Sequence, residues 1–118
     1  MNREKLRQLI ANCRRSRERF VGRPPGRPSD WCPHKIQNPD MPPGYMFTDE
    51  SAWEFIAQHL ESEHPIEEVA LEVPAGAPAI IMIIPLRGNP TPLYVKVEVG
   101  ASCKAIGRSF HLSYRQGP

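Results

Sequence analysis

Apolar residues in the first twenty positions fall at Leu6, Leu9, Ile10, Cys13 and Phe20. That helical spacing predicts a first helix over Asn2–Phe20, with Asn2 as its N-cap. Arg3, Arg7, Arg14, Arg15 and Arg19 cover much of its remaining surface. From Val21 to Asp30 the chain reads Val-Gly-Arg-Pro-Pro-Gly-Arg-Pro-Ser-Asp. Proline cannot continue a helix and holds its neighbours extended, so this segment is expected to be a linker or strap. Trp31 to Phe47 reads as a loop, anchored by Trp31, Ile36, Tyr45, Met46 and Phe47. A second helix is predicted over Thr48–Glu63. Thr48 caps it, Asp49 and Glu50 favour its positive end, and Phe47 can staple against Ala52. Ala52, Trp53, Phe55, Ile56, His59 and Leu60 supply its buried side, with His59 expected as a packing residue, and His64-Pro65 ends it.

The pattern then changes to period two. Glu67–Val73 alternates, with Val69, Leu71 and Val73 on one face. Ala79–Ile84 is unbroken and reads as a central strand covered on both faces. In Leu93–Val99 the odd positions are apolar, while Tyr94, Lys96 and Glu98 point the other way. A three-residue loop, Gly100-Ala-Ser102, would set Val99 opposite Cys103, Glu98 opposite Lys104 and Tyr94 opposite Arg108. Cys103 and Ala105 then face inward, but the later large residues, Phe110 and Leu112, have the opposite parity. Strand side chains alternate strictly, so one residue must be absorbed between them, and Gly107 is the natural place for a bulge. With the bulge, Ser109, His111 and Ser113 join Tyr94 and Lys96 outside. Without it, Arg108 shares the face of Phe110, and His111 lies opposite.

These elements predict an α+β fold: two helices followed by a four-stranded antiparallel β-meander, with the helices packed on one face. Residues 1–30 are expected as a basic helix and Pro-rich arm, and 31–118 as a single α+β domain. At 118 residues one domain is the natural count. Of the 14 prolines, seven fall between Gly22 and Gly44, so the core must come from elsewhere.

The net charge of +2 conceals a partition. Residues 1–30 hold nine Lys/Arg against three Asp/Glu, residues 31–72 one against nine, and residues 73–118 five against one. Basic ends and an acidic middle suit either a polyanion-binding surface or charge complementation within the fold. The three cysteines, Cys13, Cys32 and Cys103, are widely spaced, which fits reduced thiols better than a disulfide framework. Met1–Arg7 lacks a following apolar run, so no signal peptide is expected. The run Ala77–Leu86 is broken by Pro78 and Pro85 and is too short to span a bilayer. A cytoplasmic protein without membrane contact is the expectation. Cys32-Pro33-His34 resembles half a metal site but lacks convergent further ligands, so no cofactor is expected.

The candidate chemistry lies in the closing hairpin. Lys96 and Arg108 supply charge, His111 is titratable, and Tyr94 and Ser109 carry hydroxyls. RNA phosphodiester cleavage needs a base for the 2′-hydroxyl, an acid for the leaving oxygen, and cations for the transition state. Histidine suits acid–base work because its ordinary pKa is about 6.5. The same residue types also suit a hairpin whose solvent face is merely polar.

Tyr94-Val-Lys-Val, followed after a turn by Gly107-Arg-Ser-Phe-His, resembles the closing hairpin of small bacterial toxins of the MqsR and RelE-like group. The resemblance covers the layout of Thr48–Ser113. It implies an mRNA endonuclease neutralised by a cognate antitoxin protein. Lys96 and Arg108 would then hold phosphate, and Tyr94 and His111 would be the acid/base pair. Arg87, Lys104, Ser109 and Arg115 are the further RNA-binding candidates. The Pro-rich segment and the basic helix have no counterpart in the group. The alternative is a non-enzymatic interaction module that docks a protein or nucleic acid through residues 1–30.

Overall fold

The computed structural model describes residues 1–113. The fold is α+β, with two helices and a mixed six-stranded sheet. The elements are α1 (Arg3–Cys13), β1 (Arg19–Val21), β2 (Asp30–Trp31), α2 (Asp49–Glu61), β3 (Glu67–Ala70), β4 (Pro78–Ile84), β5 (Leu93–Val99) and β6 (Ala105–Leu112). Strands β3 to β6 are antiparallel neighbours in chain order, as the meander expectation has it. The sheet continues past β6, however, where β1 and β2 both run parallel to it. The four-stranded antiparallel sheet is thus corrected to a mixed one.

Both helices lie on one face. Leu9 and Cys13 of α1, and Ala52, Ile56 and Leu60 of α2, share one core with Ile80, Met82, Val95, Val97 and Phe110. Fully burying each large side chain contributes about 1.5–3 kcal/mol. No division in this packing falls at residue 30. Thr48 and Ser51 form a reciprocal cap on α2, each side chain bonding the other's backbone N–H. Phe47 packs edge-on against Phe55 and Phe110.

Helix α1 stops seven residues short of Phe20. No apolar residue falls between Cys13 and Phe20, so a longer helix would bury nothing more. Arg19 instead donates from Nη1 to the Cys13 carbonyl (2.8 Å), a cation on the helix C-terminus. The acidic middle meets the basic end here, because Arg14 binds the carboxylates of both Glu54 and Glu61.

Three strand expectations are revised. Strand β3 ends at Ala70, because Leu71 N–H bonds the Ala77 carbonyl and closes the turn early. Val73 is exposed in that turn. Strand β4 is fully covered on one face only: Ile80, Met82 and Ile84 are buried, whereas on the other face Ala79 is buried, Ile81 half-buried and Ile83 46% exposed. The β5–β6 turn is longer than three residues, with Ser102 and Cys103 in the left-handed region (φ 55° and 59°). Asn12 of α1 is buried there and donates to the Ser102 and Cys103 carbonyls. Val99 therefore lies opposite Ala105 and Glu98 opposite Ile106. This two-residue shift leaves every side chain on its expected face. Of the expected loop anchors, Tyr45 and Met46 are exposed, while Ile36 and Phe47 are buried.

Candidate functional site

The bulge is present. Val97 pairs with Gly107 and Lys96 with Ser109, leaving Arg108 as the extra residue. Gly107 stays on the core face, where Trp31 covers it: a Cβ on Gly107 would lie 2.6 Å from Trp31 Cζ3. Trp31 also packs against Trp53 and Phe110, and donates from Nε1 to Asp49.

The sheet face away from the helices is bridged at one point. Arg108 is 6% exposed. It donates to the Pro28 carbonyl of the Pro-rich strap (2.8 Å), to the Val73 carbonyl of the β3–β4 turn (2.7 Å) and to Glu98 (2.8 Å). Glu98, itself buried, also accepts from Arg27 Nε. One bulged residue thus ties the strap and a turn across the back of the sheet. Its guanidinium is occupied by protein acceptors rather than presented as an open phosphate ligand.

Beside this bridge lies a cleft of about 640 Å³. Its polar wall is Tyr94, Lys96, Ser109 and His111, its floor Ile81 and Ile83, and its rim Asp30 and Glu67, with Ser113 at one end. His111 lies opposite Tyr94 in the ladder and stacks on its ring (centroids 5.3 Å, planes 16° apart). His111 Nδ1 is 2.7 Å from the Leu112 carbonyl, so Nδ1 carries the proton and donates. Nε2 then faces the cleft, 3.5 Å from Asp30 Oδ2. Lys96 Nζ is 5.9 Å from the Tyr94 ring centroid. The arrangement offers a ring nitrogen oriented on both sides, a phenol beside it and an ammonium close by. Those groups can move a proton and stabilise a developing anion.

Of the sequence candidates, the structure brings together Tyr94, Lys96, Ser109 and His111. Arg108 is itself the bridge beside that cleft. Arg87 is elsewhere, donating to the Pro39 carbonyl and pairing with Asp40. Lys104 is exposed at the β5–β6 turn. Arg115 lies outside the described residues.

Sequence reasoning missed Asp30 and Glu67. Only the parallel pairing of β2 with β6, which sets Asp30 beside Ser109, brings Asp30 to this face. Glu67 arrives through its place opposite Ile81. Among the described residues no three His, Cys, Asp or Glu are grouped so as to hold a metal ion. Cys32 of the supposed half-site donates instead to Asp30 Oδ1 (3.2 Å). Burial and that carboxylate push its thiol pKa up.

Among the described residues no helix is long and apolar enough to cross a membrane. No family model, curated protein or solved structure matches this chain.

Proposed function

We propose that the chain is a metal-independent endoribonuclease, the toxin of a bacterial toxin–antitoxin pair, held in check in the cytoplasm by a cognate antitoxin protein. The observation that carries this reading is the stack of His111 on Tyr94 beside Lys96, on the face that the helices leave open. His111 Nε2 takes the proton of the ribose 2′-hydroxyl, and Asp30 stabilises the imidazolium that results. The 2′-oxygen forms a bond to phosphorus, and the bond from phosphorus to the 5′-oxygen breaks. The Tyr94 phenol protonates that leaving oxygen. Lys96 offsets charge on the phosphorane-like transition state. The products are a 2′,3′-cyclic phosphate and a free 5′-hydroxyl. Ser109 orients the phosphate, and Arg108 acts indirectly by holding Glu98 and the strap.

The test is incubation of purified protein with RNA in the presence of EDTA. Cleavage is expected to fall about 100-fold or more in His111→Ala, within the usual range for loss of an acid–base group. Tyr94→Phe should slow it as well. Full cleavage by both variants removes the site assignment, and no cleavage by the parent chain removes the activity.

The second reading, an interaction module, rests on the exposed guanidiniums of Arg3, Arg7, Arg15 and Arg17. Because Leu9 and Cys13 belong to the core, charge reversal of those arginines tests it better than deleting the arm. Loss of a captured partner, with no RNase activity in the parent chain, would favour it.

A further inference from the structure

A second cleft, of about 670 Å³, opens at the outer edge of β1 and is walled by the Pro-rich strap. Arg19, Arg23 and Arg27 converge on it, together with Phe20 and, deeper, Trp53. Its single lining carboxylate, Asp49, already accepts from Trp31 Nε1 (3.2 Å). Three guanidiniums therefore face one carboxylate. By contrast, the cleft around His111 holds one lysine with Asp30 and Glu67. An anionic polymer meets its attractive field at the arginine cleft rather than at the His111 cleft.

Two of these arginines are placed in advance without being used up. Arg19 donates Nη1 to the Cys13 carbonyl. Arg27 donates Nε to both Glu98 oxygens (3.2 Å each), and Glu98 is itself fixed by Arg108. A guanidinium carries five N–H donors in a fixed fork, so each keeps donors for a ligand, and the fork matches phosphate geometry. Arg23 is exposed, and its side chain makes no hydrogen bond or ion pair among the described residues. Phe20 is 45% exposed, an apolar ring displayed on an edge strand beside three cations. Cations interleaved with an exposed aromatic ring suit a single strand whose bases can be unstacked.

We infer that this cleft binds the backbone phosphates of single-stranded RNA, with one base stacked on Phe20. The identity of the ligand rests on the RNA reading of the His111 cleft. The two clefts share the strap: Arg27 lines one and Asp30 the other, at most about 11 Å of chain apart. A strand held at Arg19, Arg23 and Arg27 thus delivers a neighbouring phosphodiester to His111. The cations missing from the catalytic cleft stand at the sheet edge instead.

The experiment measures binding in a His111→Ala background, using a fluorescein-labelled RNA of about twelve unpaired nucleotides. Arg23→Glu and Phe20→Ala are each expected to raise Kd about five-fold or more. Arg23→Glu should also lower the slope of log Kd against log salt by about one. Lys5→Glu is the charge-matched control on α1, whose N-terminal end meets Glu68 of β3 at the opposite edge of the sheet from β1. If it weakens binding as much as Arg23→Glu, the effect is general electrostatics and the cleft assignment falls. The assignment also falls if Arg23→Glu and Phe20→Ala both leave Kd unchanged, even when the parent chain cleaves RNA. Binding that depends on Arg23 and Phe20, in a chain that does not cleave, upholds the cleft and removes only the catalytic reading.

Discussion

Gly107 and Arg108 are adjacent in β6 and do opposite things. Gly107 is a space: Trp31 Cε3 and Cζ3 would lie 2.8 and 2.6 Å from any Cβ there. Gly107→Ala must therefore push an indole that also packs on Trp53 and Phe110, with little freedom to yield. Overpacking of this kind costs about 1–3 kcal/mol, and a urea titration should show the midpoint falling accordingly. An unchanged midpoint would mean that the indole moves freely. Arg108 is the reverse, a long side chain aimed out of the ladder to three acceptors. The parity clash between Ala105 and Phe110 made a bulge legible in the sequence. It set the bulge at Gly107, whereas Gly107 stays paired with Val97 under the ring of Trp31, seventy-six positions away, and Arg108 is the extra residue. The shared face of Tyr94, Lys96, Ser109 and His111 followed from that same parity. The engagement of Arg108 did not, since two of its three acceptors are backbone carbonyls that no residue type announces.

At the scale of elements, local chemistry was the readable part. Helix α2 carries its cap, its acidic first turn and its apolar stripe within fifteen residues, and each could be read in place. Strands β1 and β2 could not. They have three and two residues, their pairing is parallel, and their partner lies more than seventy positions on. The junction of α1 with α2 is also long-range, and it has a pH signature. Hydrogen bonds from Arg14 hold the carboxyls of Glu54 and Glu61 below the ordinary value of 4.5, and those carboxylates in turn raise the guanidinium. Carboxyls depressed in the folded state stabilise it fully above their unfolded value, and that contribution is lost as pH falls through the folded one. The Tm gap between the parent chain and Arg14→Met should therefore be widest near neutrality. It should close as the pH drops below about 4.5. A gap of constant size across that range, by calorimetry, would show that Arg14 acts through packing alone.

Over the whole molecule, helices cover one face of the sheet, and the strap and the β3–β4 turn meet over part of the other. That asymmetry leaves Ile83 exposed and the His111 cleft open, although the run Ala79–Ile84 reads as a strand buried on both sides. Composition alone could not separate these cases, because nothing in the run marks which isoleucine meets a helix. The N-terminal segment, which reads as an arm, shares the core through Leu9 and Cys13. Burial pushes the Cys13 thiol pKa up to about 12, as expected of a thiol that serves as packing. Leu9→Ala should cost about 2–5 kcal/mol, the range for emptying a buried leucine site. Unfolding followed by tryptophan fluorescence and by circular dichroism should still coincide, since α1 and the sheet form one core. Two separated transitions would restore the arm as an independent unit.

The bulge in β6 also bears on what the gene can tolerate. Remove codon 108 in frame, and Val97 with Gly107 and Lys96 with Ser109 become consecutive rungs of an unbroken ladder. Every other residue of the strand keeps the face it already has. Insertion of a codon in the same stretch has no such slack to take up, and would need a second irregularity to keep Phe110 inside. The hairpin therefore absorbs a one-codon loss far better than a one-codon gain. What that loss would erase is the tie that Arg108 makes between the strap at Pro28 and the β3–β4 turn at Val73.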